Sequence, residues 1–364
     1  MGPMSSRFHA PYMTWAKTRP AARFDLAGSN VLACTLDDLT GAREALSLSG
    51  HNDNGYAPLM DAIAARYSVD PSQVTTATGA AGANFQACAA LLDPGDDVLM
   101  ERPGYDPLLG SARLLGARAH RFDRVFEEGY ALDPGRVRAA MTPGTRLIIL
   151  TSPHNPTSAP IATDALLEVG RIAAAHGAYV LVDEVYLDAS HPEVRPAATL
   201  GDRFISTSSL TKSYGLSSLR CGWAIASPEI AERIRRARDV IDGNGAIPAE
   251  RLATLAFAQI GHLIERARSL LATNTARLRT FLEASPELEY VDPAGGTVVF
   301  PRLRGIDDAT RFVDRLMKEY DLAVAPGHFF EAPAHFRLGI GGAPAAVDAG
   351  LSQLRAALDA RVWE

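Results

Sequence analysis

The sequence predicts an α/β fold: a mostly parallel seven-stranded sheet sandwiched by helices, with a smaller α+β domain after it. Three observations point there. Short apolar runs alternate with helical stretches between residues 74 and 226, as strands covered on both faces do. From Leu288 the rhythm changes to brief strands with helices between them. Polar residues of unusual type gather just after the apolar runs, where open α/β sheets bind ligands.

Residues 1–40 read as an arm that packs with the small domain, with Tyr12, Trp15 and a turn at Leu26-Ala27-Gly28-Ser29-Asn30. A turn-rich loop, Ser49 to Tyr56, precedes Leu59, Ile63, Ala64 and Tyr67 at helical spacing. Strands are predicted at 74–78, 97–100, 119–122, 146–150, 179–182, 204–208 and 221–226. Helices are predicted at 80–92, 107–115 and 163–176. Only about a dozen residues link the last two strands, so one of them has room to run antiparallel. One helical stretch covers 228–242 and another 248–284. The small domain then reads as strands at 290–291, 297–303, 322–325 and 336–340, with helices at 309–318 and 344–358. The division is 1–40 for the arm, 41–255 for a large cofactor-binding domain and 256–364 for the small one.

The chain has 364 residues, 47% of them hydrophobic, enough for a sizeable core. A net charge of −6 gives no basic excess for nucleic acid. No apolar run is long enough to span a membrane. Met1 to Arg19 lacks the apolar stretch of a signal peptide. Met1-Gly2 with Ser6 echoes a myristoylation start, set aside because Pro3 intervenes and no second membrane signal follows. Cys34, Cys88 and Cys221 lie far apart, as free thiols in a reducing compartment do. A cytoplasmic protein is the expectation.

Four strand ends carry the chemistry. Thr78-Gly79-Ala80-Ala81 opens a helix with small residues, which lets backbone N–H groups approach a phosphate or simply makes a tight turn. There is no GxGxxG and no GxxxxGK[ST], which speaks against dinucleotide and P-loop sites. Asn155 stands between Pro153 and Pro156 after the fourth strand. Asp183 ends the fifth, where it caps the next helix or answers a buried partner, and Tyr186 follows. The sixth leads through Ser209 to Lys212, then Arg220. Pyridoxal phosphate has a group for each: phosphate for the Gly79 turn, ring nitrogen for Asp183, phenolic oxygen for Asn155 and Tyr186, aldehyde for Lys212. A free lysine, with a pKa of ~10.4, is unprotonated about once in ~2,500 at pH 7. Burial and imine formation remove that handicap.

Taken together, Asn155-Pro156-Thr157, Asp183-x-x-Tyr186, Ser209-x-x-Lys212 and Arg220 resemble the fold-type I enzymes of the aspartate aminotransferase superfamily, class I/II branch. The resemblance runs from about Asn52 to Gly342. It implies that Lys212 forms the Schiff base and shuttles a proton, and that Ser209 and Arg220 hold phosphate with Gly79, Ala80 and Ala81. Tyr105 then stacks on the ring. Tyr56 reaches the phosphate of a neighbouring subunit, which implies a homodimer with shared sites. Arg337 grips the substrate carboxylate, with Gly28 and Asn155 beside it. His51, His154 and His328 are possible pocket lining, and no metal spacing links them.

The implied activity is transamination between an L-amino acid and a 2-keto acid. Lyase, cyclase or synthase chemistry on the same scaffold is the alternative. A non-catalytic regulator is disfavoured by the intact lysine and by the absence of a DNA-binding module in front of the fold.

Overall fold

The computed structural model describes residues 10–363; the Met1-to-Ser6 start and the rest of the first nine arm residues lie outside the described residues. Strands β1 (Val74–Thr78), β2 (Asp97–Arg102), β3 (Arg118–Asp123), β4 (Thr145–Thr151), β5 (Tyr179–Asp183), β6 (Phe204–Ser209) and β7 (Cys221–Ile225) form one sheet in the order β1-β7-β6-β5-β4-β2-β3. β7 runs antiparallel to β1 and β6, and every other pairing is parallel. The short link from β6 to β7 has no crossover helix, so β7 must turn back. That link carries Lys212.

Successive residues of β4 serve opposite faces. Leu147 and Ile149 pack with Ala83, Ala87, Leu181, Ile230 and Ile234, beneath helices Gly79–Leu91 and Pro228–Ile241. Ile148 and Leu150 pack with Val180, Leu166, Val169 and Phe204, beneath helix Thr163–Ala175. All four are fully buried, and each contributes roughly 1.5–3 kcal/mol relative to an exposed side chain. Burial on both faces is why the strand reads as one apolar run rather than as an alternation.

The C-terminal part has its own core around Phe312, Leu316, Phe336, Leu338 and Leu354. Three-stranded pairing of Val298–Val299, Phe336–Gly339 and Ala325–Pro326 holds Arg337 in its central strand. The arm joins this part through Phe24–Asp25, which pairs in parallel with Leu322–Ala323.

Several elements differ from the sequence reading. The arm holds a helix, Pro11–Thr18, with Pro11 at its first turn. A further helix, Pro134–Ala140, starts at the Asp133 cap, whose carboxylate accepts from the Gly135 N–H. The stretch 248–284 is two helices, Ile247–Ala258 and Ile260–Glu283, broken at Gln259, whose side chain bonds both the N–H and the C=O of Thr40. The strand at 297–303 is split into Val298–Val299 and Arg302–Leu303 around Pro301, which has no N–H for a ladder. The short strand near 290 is instead Leu288–Glu289, paired with Arg302–Leu303.

Gly222 in β7 lies against the start of helix Gly79–Leu91. A Cβ there would stand 2.3 Å from the Gly79 carbonyl carbon and 2.7 Å from the Ala80 nitrogen. Both obstacles are backbone, so neither can rotate away. Gly222→Ala is expected to cost at least ~2 kcal/mol in urea denaturation, the range of an overpacked core; an unchanged midpoint would show that the helix start can shift.

Candidate active site

The carboxyl ends of β4, β5 and β6 converge on a cavity of about 250 Å³. Ala80, Ala81, Tyr105, Asn155, Asp183, Tyr186, Ser209, Lys212 and Arg220 line it, together with Met13, Asn84 and Thr151. Lys212 projects from the link after β6. Burial first, then the guanidinium of Arg337, presses its amine down to about 8, against the pull of Asp183. Both protonation states are therefore accessible near neutral pH.

Asp183 closes β5 and is 6% exposed. Its Oδ2 accepts from Asn84 Nδ2 at 2.8 Å, and its Oδ1 from the Val185 N–H at 3.2 Å. Asn84 is itself fixed, because Thr207 Oγ1 donates to its Oδ1 at 2.5 Å. Burial raises the carboxyl to about 6, and the Asn84 hydrogen bond opposes the rise.

Arg220 faces the N-terminus of the 13-residue helix Gly79–Leu91. A Cβ on Gly79 would lie 2.3 Å from its Nη2, so only glycine leaves room for the guanidinium. Its hydrogen bonds, to Thr211 Oγ1 and the Ser217 C=O, are both 3.5 Å long. A weakly held cation, free helix N–H groups and the Ser209 hydroxyl form an anion cradle.

Arg337 is fully buried behind this wall. Its Nη1 donates to Asn155 Oδ1 at 2.9 Å; its Nη2 donates to Tyr12 Oη at 2.6 Å and to the Ala27 C=O at 2.9 Å. Its Nε is buried and has no hydrogen-bond partner among the described residues. Asn155 is anchored from beneath: its N–H donates to Thr151 Oγ1, which donates to Glu101, and Glu101 is ion-paired with Arg124 at 3.0 Å in full burial.

Comparison with known proteins decides the family. The model of aminotransferase class I and II matches residues 33–354. The chain belongs to that family. This aminotransferase is 29% identical to a capreomycidine synthase of Streptomyces vinaceus, over 91% of this chain and 88% of that one. It is 32% identical to a probable N-succinyldiaminopimelate aminotransferase DapC of Mycobacterium tuberculosis, over 77% of this chain and 74% of that one. A crystal structure of a PLP-dependent aminotransferase from Streptococcus suis superposes with a TM-score of 0.92 at 27% identity, covering 98% and 99% of the two chains. The protein is a pyridoxal-phosphate-dependent aminotransferase with the fold-type I architecture.

The aminotransferase's residues fit that cofactor. The Arg220 and Gly79 cradle has the charge and the room a phosphate needs, and one carboxylate, Asp183, and one amine, Lys212, line the same cavity. Tyr105 is held against Tyr12 at 5.6 Å and, by its hydroxyl, against Met13. Tyr56 is half-buried at the start of helix Ala57–Tyr67 and is not among the lining residues. Gly28 is exposed beside Ala27 and Ser29. None of the three histidines lines the cavity: His154 is fully buried below it on Pro103 and Thr157, and His51 and His328 are exposed.

Asn84, Thr207, Ser29 and Asn30 were not singled out as site residues by the sequence. Asn84 had a signal, one of two amides, with Gln86, in a helix otherwise built mostly of Gly and Ala. The others become partners only when distant segments meet.

Because the native Asp183 keeps a proton that the unfolded chain releases near 3.8, apoprotein stability falls as pH rises from about 4 through about 6. The drop is about 3 kcal/mol. Asp183→Asn is expected to remove this slope; equal slopes in urea titrations of both apoproteins across that window would contradict it.

Proposed function

We propose that the enzyme transfers the amino group of L-amino acids with uncharged side chains to 2-keto acids, as a homodimer with shared sites. Bound at Lys212, pyridoxal phosphate supplies the electron sink for the bond broken at the substrate Cα. Lys212 would take the substrate Cα proton and carry it toward the cofactor, a role that its lowered pKa suits. Asp183, mostly ionised at pH 7, would hold a proton on the ring nitrogen. Asn155 and Tyr186 hold the phenolic oxygen, and Tyr105 covers the ring. Ser209, Arg220 and the Gly79–Ala81 turn hold phosphate. Arg337 orients the α-carboxylate with Asn155 and Gly28, taking over Nη2 from Tyr12.

In this reading residues 41–255 hold the cofactor and 256–364 supply Arg337. Exposed Leu46 and Leu48 precede the loop to Tyr56, and exposed Val240 lies at the end of helix Pro228–Ile241. These apolar side chains favour coverage by a second copy, which would bring Tyr56 to the partner's phosphate. A cytoplasmic location accords with the fact that no described helix is long and apolar enough to cross a membrane.

The observation that carries the substrate class is the cavity wall. Met13, Tyr105, Pro107, Leu108 and Ser111 line it without a charge, and the lining cations Lys212 and Arg220 already have roles. A second reading, an elimination or cyclisation, is favoured by one relative's name as a synthase. The two separate in one experiment. Holoenzyme mixed with single amino acids should yield pyridoxamine phosphate and a keto acid; product release without a keto-acid acceptor and without pyridoxamine phosphate would favour the second reading.

Lys212→Ala is expected to lower turnover by at least ~100-fold, with folding retained by circular dichroism. Aspartate should show a kcat/KM at least ~10-fold below that of neutral donors, because nothing in the wall pairs its side-chain charge. Parity between them would refute the assigned substrate class.

A further inference from the structure

Residues 26–32 cross the cleft as a strap tied along both edges. The Leu26 C=O accepts from the Gly339 N–H at 2.6 Å, the Leu32 N–H donates to the Gly341 C=O at 2.7 Å, and the Val31 N–H donates to the Lys212 C=O at 3.1 Å. There is no slack against the strand beneath: a Cβ on Gly339 would stand 1.7 Å from the Gly28 oxygen, and one on Gly341 2.1 Å from the Asn30 oxygen.

Between these ties the strap meets the lysine side chain. Lys212 Nζ donates to Ser29 Oγ at 3.0 Å and to Asn30 Oδ1 at 2.7 Å. Ser29 is 5% exposed and also accepts from the Tyr186 hydroxyl at 3.0 Å. Both lone pairs of its oxygen are then engaged, which fixes the hydroxyl between the two groups.

We propose that Ser29 and Asn30 are positioning residues for Lys212: they form the berth in which its free amine rests, protonated, on the Tyr186 side of the cleft. The proposal rests on the reading of Lys212 as the amine that carries the cofactor. Burial and the guanidiniums of Arg337 and Arg220 press that amine toward neutrality. The carboxylate of Asp183 and two acceptor oxygens at hydrogen-bond distance press the other way. The balance sets how readily the amine gives back a proton it has taken, which is what its shuttle role requires. The Ala27 C=O of the same strap is held by Arg337 Nη2, so the berth and the carboxylate-binding arginine share one rigid piece of chain.

The test uses the full-length apoenzyme and its Ser29→Ala, Asn30→Ala and Asn30→Asp variants. Competitive acetylation with limiting acetic anhydride across pH, read by mass spectrometry of the Lys212 peptide, reports the titration of this one amine. The two alanine variants should lower its midpoint by at least ~0.5 pH unit and Asn30→Asp should raise it by ~1 or more, as expected for lost acceptors and an added adjacent charge. Thermal unfolding of each variant identifies any that fails to fold. A merely structural role would leave the midpoints unmoved. Coincident midpoints in folded variants overturn the proposal, as does a fall in Asn30→Asp. Borohydride reduction of wild type with pyridoxal 5′-phosphate is the separate control: if Lys212 stays unlabelled, the reading beneath falls, and the proposal with it.

Discussion

Lys212 and Arg220 line a cleft whose lining offers a single carboxylate, Asp183, and the guanidinium of Arg337 lies fully buried behind it. That imbalance governs the rest. Burial first, and then the charge of Arg337, drives the lysine toward neutrality, and it is the only one of the three that can readily lose its proton. The same excess makes the cleft receptive to anions. In the proposed roles, a phosphate would be drawn to Arg220 and a carboxylate to Arg337. Ligands that bind only the native state stabilise it by RT ln(1 + [L]/Kd).

The scaffold places those charges by backbone rules. Parallel strands deliver their carboxyl ends to one edge, so Asn155, Asp183 and Ser209 follow β4, β5 and β6 at neighbouring positions. The one antiparallel strand lets the chain turn back at once, which keeps Lys212 and Arg220 in a short link rather than in a crossover helix. Gly222 then allows β7 and the helix Gly79–Leu91 to approach more closely than a side chain permits, and Gly79 leaves room for the Arg220 guanidinium. The polar network under Asn155, from Thr151 to Glu101 and Arg124, holds its loop from within the core.

The arm is more than a connection between cores. Tyr12 caps Arg337, Ala27 accepts from it, and Ser29 and Asn30 receive the lysine amine. Met13 and Tyr12 brace Tyr105. One stretch, 12–30, thus touches Arg337, Lys212, Tyr186 and Tyr105.

The strands, their alternation with helices, and the residues at Asn155, Asp183, Lys212 and Arg220 were determined by local sequence. Each follows from a short apolar run and the polar residue that ends it, and neither depends on distant chain. The helix at 11–18 and the break at Gln259 were not legible, because the first is stabilised by aromatic packing on Phe329 and Phe330 and the second by Thr40, far away in sequence. The same holds for Asn84 beneath Asp183 and for Ser29 and Asn30 beside Lys212. A hydrogen bond between residues far apart in the chain leaves no periodicity and no spacing. Only the folded sheet, with the arm strapped across it, decides which oxygen stands within 3.0 Å of the lysine.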